Sequence, residues 1–219
     1  MRLEVETKLH RNLTILSEEH GQRLSMERKS SVNAAGDPIP WYTYPALENL
    51  AQFDFSGCRV FEYGCGHSSL WWASRATQVY SVEHEPQWAA TITAAAPGNL
   101  KVIHATTKAD YIAAITMHDG PYEVIVIDGR WRLACAQTAP DHLCAGGLII
   151  FDNADWYVEA PAALAAKGFI RMDFSGFGPI NNYCWTTSLF LKADLRFARK
   201  DAFTPPAGGI HSNGDHADY

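Results

Sequence analysis

The stretch Val60-Phe61-Glu62-Tyr63-Gly64-Cys65-Gly66-His67-Ser68-Ser69 decides the fold. An apolar run of β-type residues enters Gly-x-Gly, and a stretch of helical composition, Ser69 to Arg75, follows it. Glycines at such a junction let the chain turn tightly and let a ligand approach the backbone. The carboxyl end of a first strand is where an open α/β sheet receives its ligand.

Outward from this point the pattern repeats. Apolar strand-like runs at 58–63, 78–83, 100–104, 122–128 and 147–152 alternate with helical stretches at Pro86 to Ala95, Lys108 to Met117 and Leu133 to Leu143. Val124 to Ile127 and Leu148 to Phe151 are continuous apolar runs, as expected of strands covered by helices on both faces. Strand-helix alternation of this kind predicts a doubly wound, mostly parallel α/β sheet with right-handed crossovers. Beyond Lys167-Gly168, a helix C-terminus, two last strands at Phe169 to Phe174 and Cys184 to Lys192 flank the loop Gly176 to Asn182. So short a connection predicts an antiparallel pair at the sheet edge.

The ends of the chain read differently. Residues 1–45 predict an amphipathic helix, with Leu9, Leu13, Leu16 and Leu24 on its apolar face, and then an aromatic cover loop from Gly36 to Pro45. Residues 46–195 form the ligand-binding domain, and the Pro- and Gly-bearing residues 196–219 are expected to be a disordered tail.

Composition narrows the partners. The chain has 219 residues, 18 Lys plus Arg against 24 Asp plus Glu, and a formal net charge of −6. A phosphate backbone is a poor partner for that balance. The longest apolar runs fall far short of the roughly 20 residues that a bilayer requires. The N-terminal residues lack the apolar core of a secretory signal, and the five cysteines form no Cys-x-x-Cys pair, so reduced thiols in the cytoplasm are expected.

Two features select the ligand at the glycine loop. Ser69 stands where the dinucleotide fingerprint has its third glycine, and Glu62 ends the strand two residues before Gly64. A carboxylate there would repel a pyrophosphate but suits a cationic ligand such as S-adenosylmethionine, which carries a sulfonium, an ammonium and no phosphate. Glu83 ends the next strand about 20 residues on, where a carboxylate accepts hydrogen bonds from ribose hydroxyls.

With these residues the sequence resembles the class I S-adenosylmethionine-dependent methyltransferases. The likeness covers roughly residues 38–192 and rests on Glu62-x-Gly64-x-Gly66-x-Ser68, on Glu83, on Tyr122 to Gly129 and on Gly146 to Asn153. It implies a Rossmann-like, seven-stranded sheet of order 3-2-1-4-5-7-6 with the last strand antiparallel. It also implies that Glu62, Gly64 and Gly66 hold the methionine end, that Glu83 holds the ribose and that residues near Thr106 sit beside the adenine. Cys65, Ser68, His84 (packed near the adenosine), Asp128 and Gly129 complete the cofactor set. A nearer likeness, through Trp41 to Pro45 and Gly178 to Ser188, is to bacterial methyltransferase-like proteins of unassigned substrate.

Asp128, Asp152 and Asn153 end the fourth and fifth strands and are the candidate catalytic residues. Their arrangement is similar to that in catechol O-methyltransferase and its relatives, where such a set chelates a metal; Mg²⁺ is an open but not a favoured reading here. That family's lysine three residues after the first aspartate is replaced by Trp131, between Arg130 and Arg132. Neither arginine readily acts as a base. The metal-free alternative has Asp128 bonding loop amides or substrate and Asp152 and Asn153 closing a turn. Trp41, Tyr42, Tyr44, Arg130 and Tyr183 are the candidate substrate and lid residues, the aromatic loop closing over the sulfonium.

The sequence thus predicts a methyltransferase acting on a small molecule without nucleic acid or membrane; a homodimer is compatible with it. Three rivals stand. The same pocket could direct attack on another carbon of S-adenosylmethionine, giving cyclisation, lysis or aminocarboxypropyl transfer with release of methylthioadenosine. The chain could be a non-catalytic binding module. An NAD-dependent oxidoreductase is disfavoured by Glu62 and Ser69.

Overall fold

A computed structural model describes residues 2–209. Seven strands form one sheet: β1 Arg59–Tyr63, β2 Gln78–Glu83, β3 Leu100–His104, β4 Tyr122–Ile127, β5 Leu143–Phe151, β6 Ile170–Gly176 and β7 Trp185–Leu191. Their order is β3-β2-β1-β4-β5-β7-β6. β7 runs antiparallel to both neighbours, and the other pairings are parallel. This is the class I methyltransferase order that the resemblance implied.

The sheet separates two cores because side chains alternate along a strand. Val60, Val124, Val126, Leu148 and Ile150 pack on one face with Trp71 and Trp72 of α4 (His67–Ala73). Phe61, Tyr63, Ile125, Ile127, Ile149 and Phe151 pack on the other, with Tyr111 of α6 (Lys108–Ala113), Cys135 of α7 (Arg132–Thr138) and Leu164 of α8 (Glu159–Ala166). α5 (Pro86–Ala95) covers the first face through Ile92.

Register aligns the functional ends. Tyr63 pairs with Val82 and with Ile127, and Ile127 pairs with Phe151. Three further amides continue the ladder past the strands: Gly64 N to Val82 O at 2.9 Å, Asp128 N to Tyr63 O at 3.0 Å and Asp152 N to Ile127 O at 3.2 Å. Gly64, Asp128 and Asp152 therefore lie side by side on one edge.

The N-terminal segment departs from the single amphipathic helix expected. α1 (Arg2–Thr14) runs into a π-helical turn, Ile15–Glu19, and α2 (Gln22–Arg28) follows after Gly21. Gly21 has φ +79°, and a side chain there would lie 2.5 Å from the backbone nitrogen of Ala34, so the chain must turn here on a glycine. Leu9 and Leu13 are 55% and 59% exposed, whereas Leu16 packs against the core, so only the later part of the apolar stripe docks on the domain.

The loop after α2 is fastened down. Gln22 Nε2 donates to Gly178 O at 2.9 Å and to Asn181 O at 3.0 Å; Thr43 N donates to Thr187 Oγ1 at 3.0 Å and Tyr44 N to Phe177 O at 2.8 Å. α3 (Tyr44–Leu50) has Pro45 in its first turn.

Residues 196–209 also differ from the loose tail expected of 196–219. Asp54 N donates to Ala198 O at 2.9 Å, Lys200 N donates to Gln52 O at 2.9 Å, and the Phe197 ring meets Phe55 edge-on at 5.3 Å. Backbone pairing and aromatic burial hold this stretch. The remainder of the expected tail, 210–219, lies outside the described residues.

Candidate active site

At the glycine loop, Glu62 is fully buried. It faces Ser81 across the β1–β2 pair, and Ser81 Oγ donates to its Oε2 at 3.0 Å. Ser69 Oγ donates to the same oxygen and accepts from Gly66 N at 3.1 Å. The departure from the third glycine is thus a hydroxyl that couples Glu62 to the loop backbone. Among the described residues Glu62 Oε1 has no hydrogen-bond partner. Burial pushes the Glu62 carboxyl up to about 7.

Glu83 braces the other side of the loop. Its Oε2 accepts from Cys65 N at 3.1 Å, and its Oε1 accepts from His84 N at 2.8 Å and Glu85 N at 2.9 Å, with His84 Nδ1 at 2.7 Å. A carboxylate has about four acceptor positions, so Oε2 retains one.

Gly64 has φ +102°, and a side chain there would lie 3.0 Å from Gly129 Cα. A side chain at Gly129 would strike Tyr111 Oη at 2.0 Å. These two glycines let the β1 and β4 loops touch each other; the space for a ligand is elsewhere. That space is a cavity of about 260 Å³, bounded by Cys65, Gly66, Ser68, Asp128, Trp41 and Trp88, with Ser30, Ser31 and His67 at its N-terminal side. Trp88 Nε1 donates to Cys65 O at 2.6 Å. His67 Nδ1 donates to Ser31 O at 2.6 Å, tying the N-terminal segment to the loop.

A second cavity of about 320 Å³ lies past the ends of β4 and β5, lined by Trp41, Asp128, Arg132, Asp152, Trp156, Tyr183 and Trp185, with Asn153 and Asn181 at its edge. Asp128 and Trp41 border both cavities. Tyr183 lies 6.1 Å from both Trp156 and Trp185, ring to ring, which gives the second cavity an aromatic wall. Asp152 Oδ1 accepts from Trp185 Nε1 at 3.0 Å and from Thr187 Oγ1 at 2.5 Å.

Arg132 is buried among these residues and donates to Asp128, Gly129, Asp152 and Asn153. Burial pushes the Asp128 carboxyl up to about 6 in spite of the opposing charge of Arg132. Asp152 is pushed up further, by burial and by the charge of Asp128.

The expected residues therefore divide. Cys65, Gly66, Ser68 and Asp128 line the first cavity, and Asp128, Asp152, Asn153, Trp41 and Tyr183 the second. Glu62, Gly64, Glu83, His84 and Gly129 support the loops behind the cavity walls, and Thr106 is exposed after β3. Three expectations are corrected. Tyr42 is fully buried in the core, so it cannot open as part of a lid. Tyr44 begins α3 and stacks on His20 at 4.0 Å, away from both cavities. Arg130 is exposed and lines neither cavity; the arginine that enters the site is Arg132.

Sequence reasoning missed Trp88, Trp156 and Thr187. The spacing of Asp128 and Arg132, four apart, was the one available signal for the arginine. The others are brought in from separate helices and strands.

The S-adenosylmethionine that the fold implies would find two suited groups just behind the wall of the first cavity: among the described residues the buried Glu62 Oε1 has no hydrogen-bond partner, and Glu83 keeps an acceptor position for a hydroxyl.

Residues 61–154 match a family model described as a methyltransferase domain. No curated protein matches the chain. Among solved structures, the precorrin-6y C5,15-methyltransferase of Geobacter metallireducens is similar at 12% identity and TM-score 0.56, over 68% of this chain and 87% of that one. The cofactor-bound Rv0187 from MTB is similar at 19% identity and TM-score 0.53, over 78% and 87%. SMU.1697c of Streptococcus mutans, solved in complex with SAH, is similar at 12% identity and TM-score 0.50, over 70% and 99%. At these identities the structures share the fold.

Proposed function

We propose, from the premise that this chain carries a class I S-adenosylmethionine-dependent methyltransferase domain, that it transfers a methyl group to a flat, small-molecule acceptor held in the second cavity. One observation carries the reading: the glycine-loop cavity and the aromatic cavity share Asp128 and Trp41 as a common border. A donor on one side and an acceptor on the other meet there, and much of methyl transfer is accomplished by holding the two reactants in contact.

Each part of the chain has a role in this reading. Glu62 faces the positive methionine end, and Glu83 takes a ribose hydroxyl. When bound, the cofactor supplies a methyl group on a sulfonium and leaves as a neutral thioether. Trp156, Tyr183 and Trp185 offer flat apolar faces to an acceptor ring. Trp41 closes the border against water. Asp128, pushed up to about 6, is ionised at neutral pH yet basic enough to take a proton from the acceptor. Asp152 orients the floor through Trp185 and Thr187.

The size of the second cavity and the formal charge of −6 support a small acceptor over nucleic acid. Among the described residues no helix is long and apolar enough to cross a membrane. The free thiols of Cys58, Cys65, Cys135, Cys144 and Cys184 suit a reducing compartment, so the cytoplasm is the proposed setting.

The test incubates the full chain with S-adenosylmethionine and a panel of small aromatic and heterocyclic acceptors. S-adenosylhomocysteine formed with one acceptor supports the reading. Methylthioadenosine in its place assigns attack to another carbon and overturns it. Binding of S-adenosylmethionine with no product across the panel points to a binding module.

A further inference from the structure

We propose that Arg132 is a built-in cation, a positioning residue that occupies at the ends of β4 and β5 the oxygen set a divalent metal ion would otherwise fill. A guanidinium has five N–H donors in a rigid fork. Here each has an oxygen to itself. Nε donates to Gly129 O at 3.0 Å. Nη2 donates to Asp128 O at 2.6 Å and to Asp128 Oδ1 at 3.0 Å. Nη1 donates to Asn153 Oδ1 at 2.9 Å and, by a still shorter contact, to Asp152 O.

This set is three backbone carbonyls, one carboxylate and one amide, drawn from two strand ends. Hard cations such as Mg²⁺ take ligands of these kinds. The guanidinium also lies over the Tyr157 ring, 4.7 Å from its centroid, which closes it off from the side of α8. Trp131, at φ 50°, turns the chain left-handed just before α7 and delivers Arg132 inward. Among the described residues, no three His, Cys, Asp or Glu side chains are grouped to hold a metal. The strand-end oxygens that Arg132 holds therefore do not fit a resident ion: their cation is covalently part of the chain. The floor of the second cavity is held in place by that residue, independently of any metal supply.

The proposal extends the reading of the second cavity as the acceptor site, yet it is tested without turnover. The full chain is titrated with Mn²⁺ followed by electron paramagnetic resonance, and melted with Mg²⁺ or with a chelator. Wild type is expected to bind no Mn²⁺ at this site and to melt at one temperature in both conditions. R132A is expected to melt several degrees lower, to bind one Mn²⁺ per chain, and to regain part of the lost melting temperature in Mg²⁺. R132K, with a charge but no fork, is expected to exclude Mn²⁺ while melting below wild type. Saturable Mn²⁺ on wild type that D128N abolishes overturns the proposal, and this arm decides even if R132A does not fold. A folded R132A that binds no Mn²⁺ also overturns it. Failure to find a methyl acceptor leaves these readouts untouched.

Discussion

The two ends of the active edge solve opposite electrostatic problems with the same kind of residue. At the β1–β2 end, Glu62 and Glu83 are buried and accept hydrogen bonds from serines and backbone amides; His84 Nδ1 lies 2.7 Å from Glu83, and among the described residues no lysine or arginine is bonded to Glu62. At the β4–β5 end, Arg132 pairs with the Asp128 carboxylate and donates to the backbone oxygen of Asp152, whose own carboxylate is held by Trp185 and Thr187. The first end leaves negative charge in want of a positive ligand. The second is internally compensated, and its cavity is free to be lined with aromatic rings. Burying a charge without a partner is costly, so the first end is organised for a cation that comes and goes and the second for one that stays.

Several measurements would break or sharpen this contrast. The largest effect is expected at the compensated end. R132A takes the buried guanidinium away from five oxygens and leaves the Asp128 carboxylate without its cation, and stability should fall by about 3–5 kcal/mol in urea unfolding. A loss under about 1 kcal/mol would mean that the pair is not what holds the two strand ends.

Next comes Glu62, whose folded carboxyl is raised to about 7 from 4.5. A raised carboxyl binds more protons in the folded state, so the stability Glu62 contributes is fully present below about pH 4.5 and is lost as pH rises through 7. Asp128, raised from 3.8 to about 6, adds to the same slope between those values. E62Q should remove roughly 2–3 kcal/mol of this dependence. A cationic cofactor would restore ionised Glu62, so the stabilisation it confers should grow over that pH range. A wild-type pH profile that E62Q leaves unchanged would remove the uncompensated charge from the account.

A smaller effect is expected at Glu83. E83A should weaken S-adenosylmethionine binding about 10- to 100-fold by calorimetry, roughly 1.4–2.8 kcal/mol. Unchanged affinity would dissociate Glu83 from the ribose. Smallest is W156A. Trp156 is half exposed, so stability should stay within about 0.5 kcal/mol. Acceptor KM should rise several-fold with S-adenosylmethionine affinity constant, and a change in both affinities would join the two cavities more closely than their border suggests.

Much of the fold was legible because it is written in short-range patterns. The continuous apolar runs at Val124 to Ile127 and Leu148 to Phe151 marked buried parallel strands, and the short loop after Phe174 marked the antiparallel edge. The site was legible at its glycines and strand-end acids, whose positions follow from where strands stop. It was less legible in its aromatic residues. Tyr42 and Tyr44 share a loop with Trp41, but alternation and the start of α3 send them to the core and leave Trp41 at the cavities. Arg130 and Arg132 are chemically identical, and only the turn at Trp131 sends the second inward.

The sequence by itself therefore determined the strands, the antiparallel pair at the sheet edge and the strand ends on which the acids lie, while the strand order was what the family resemblance implied. Hydrophobic periodicity and glycine turns act within a few residues and survive in a linear reading. Only the tertiary structure decided how charge is shared along that edge. Arg132 meets Asp152 and Asn153, and Asp152 meets Trp185 and Thr187, because strand register sets these pairs side by side across 20 to 35 residues of chain. No local pattern encodes such a meeting, since its energy depends on burial and on distances that exist only once the sheet has formed.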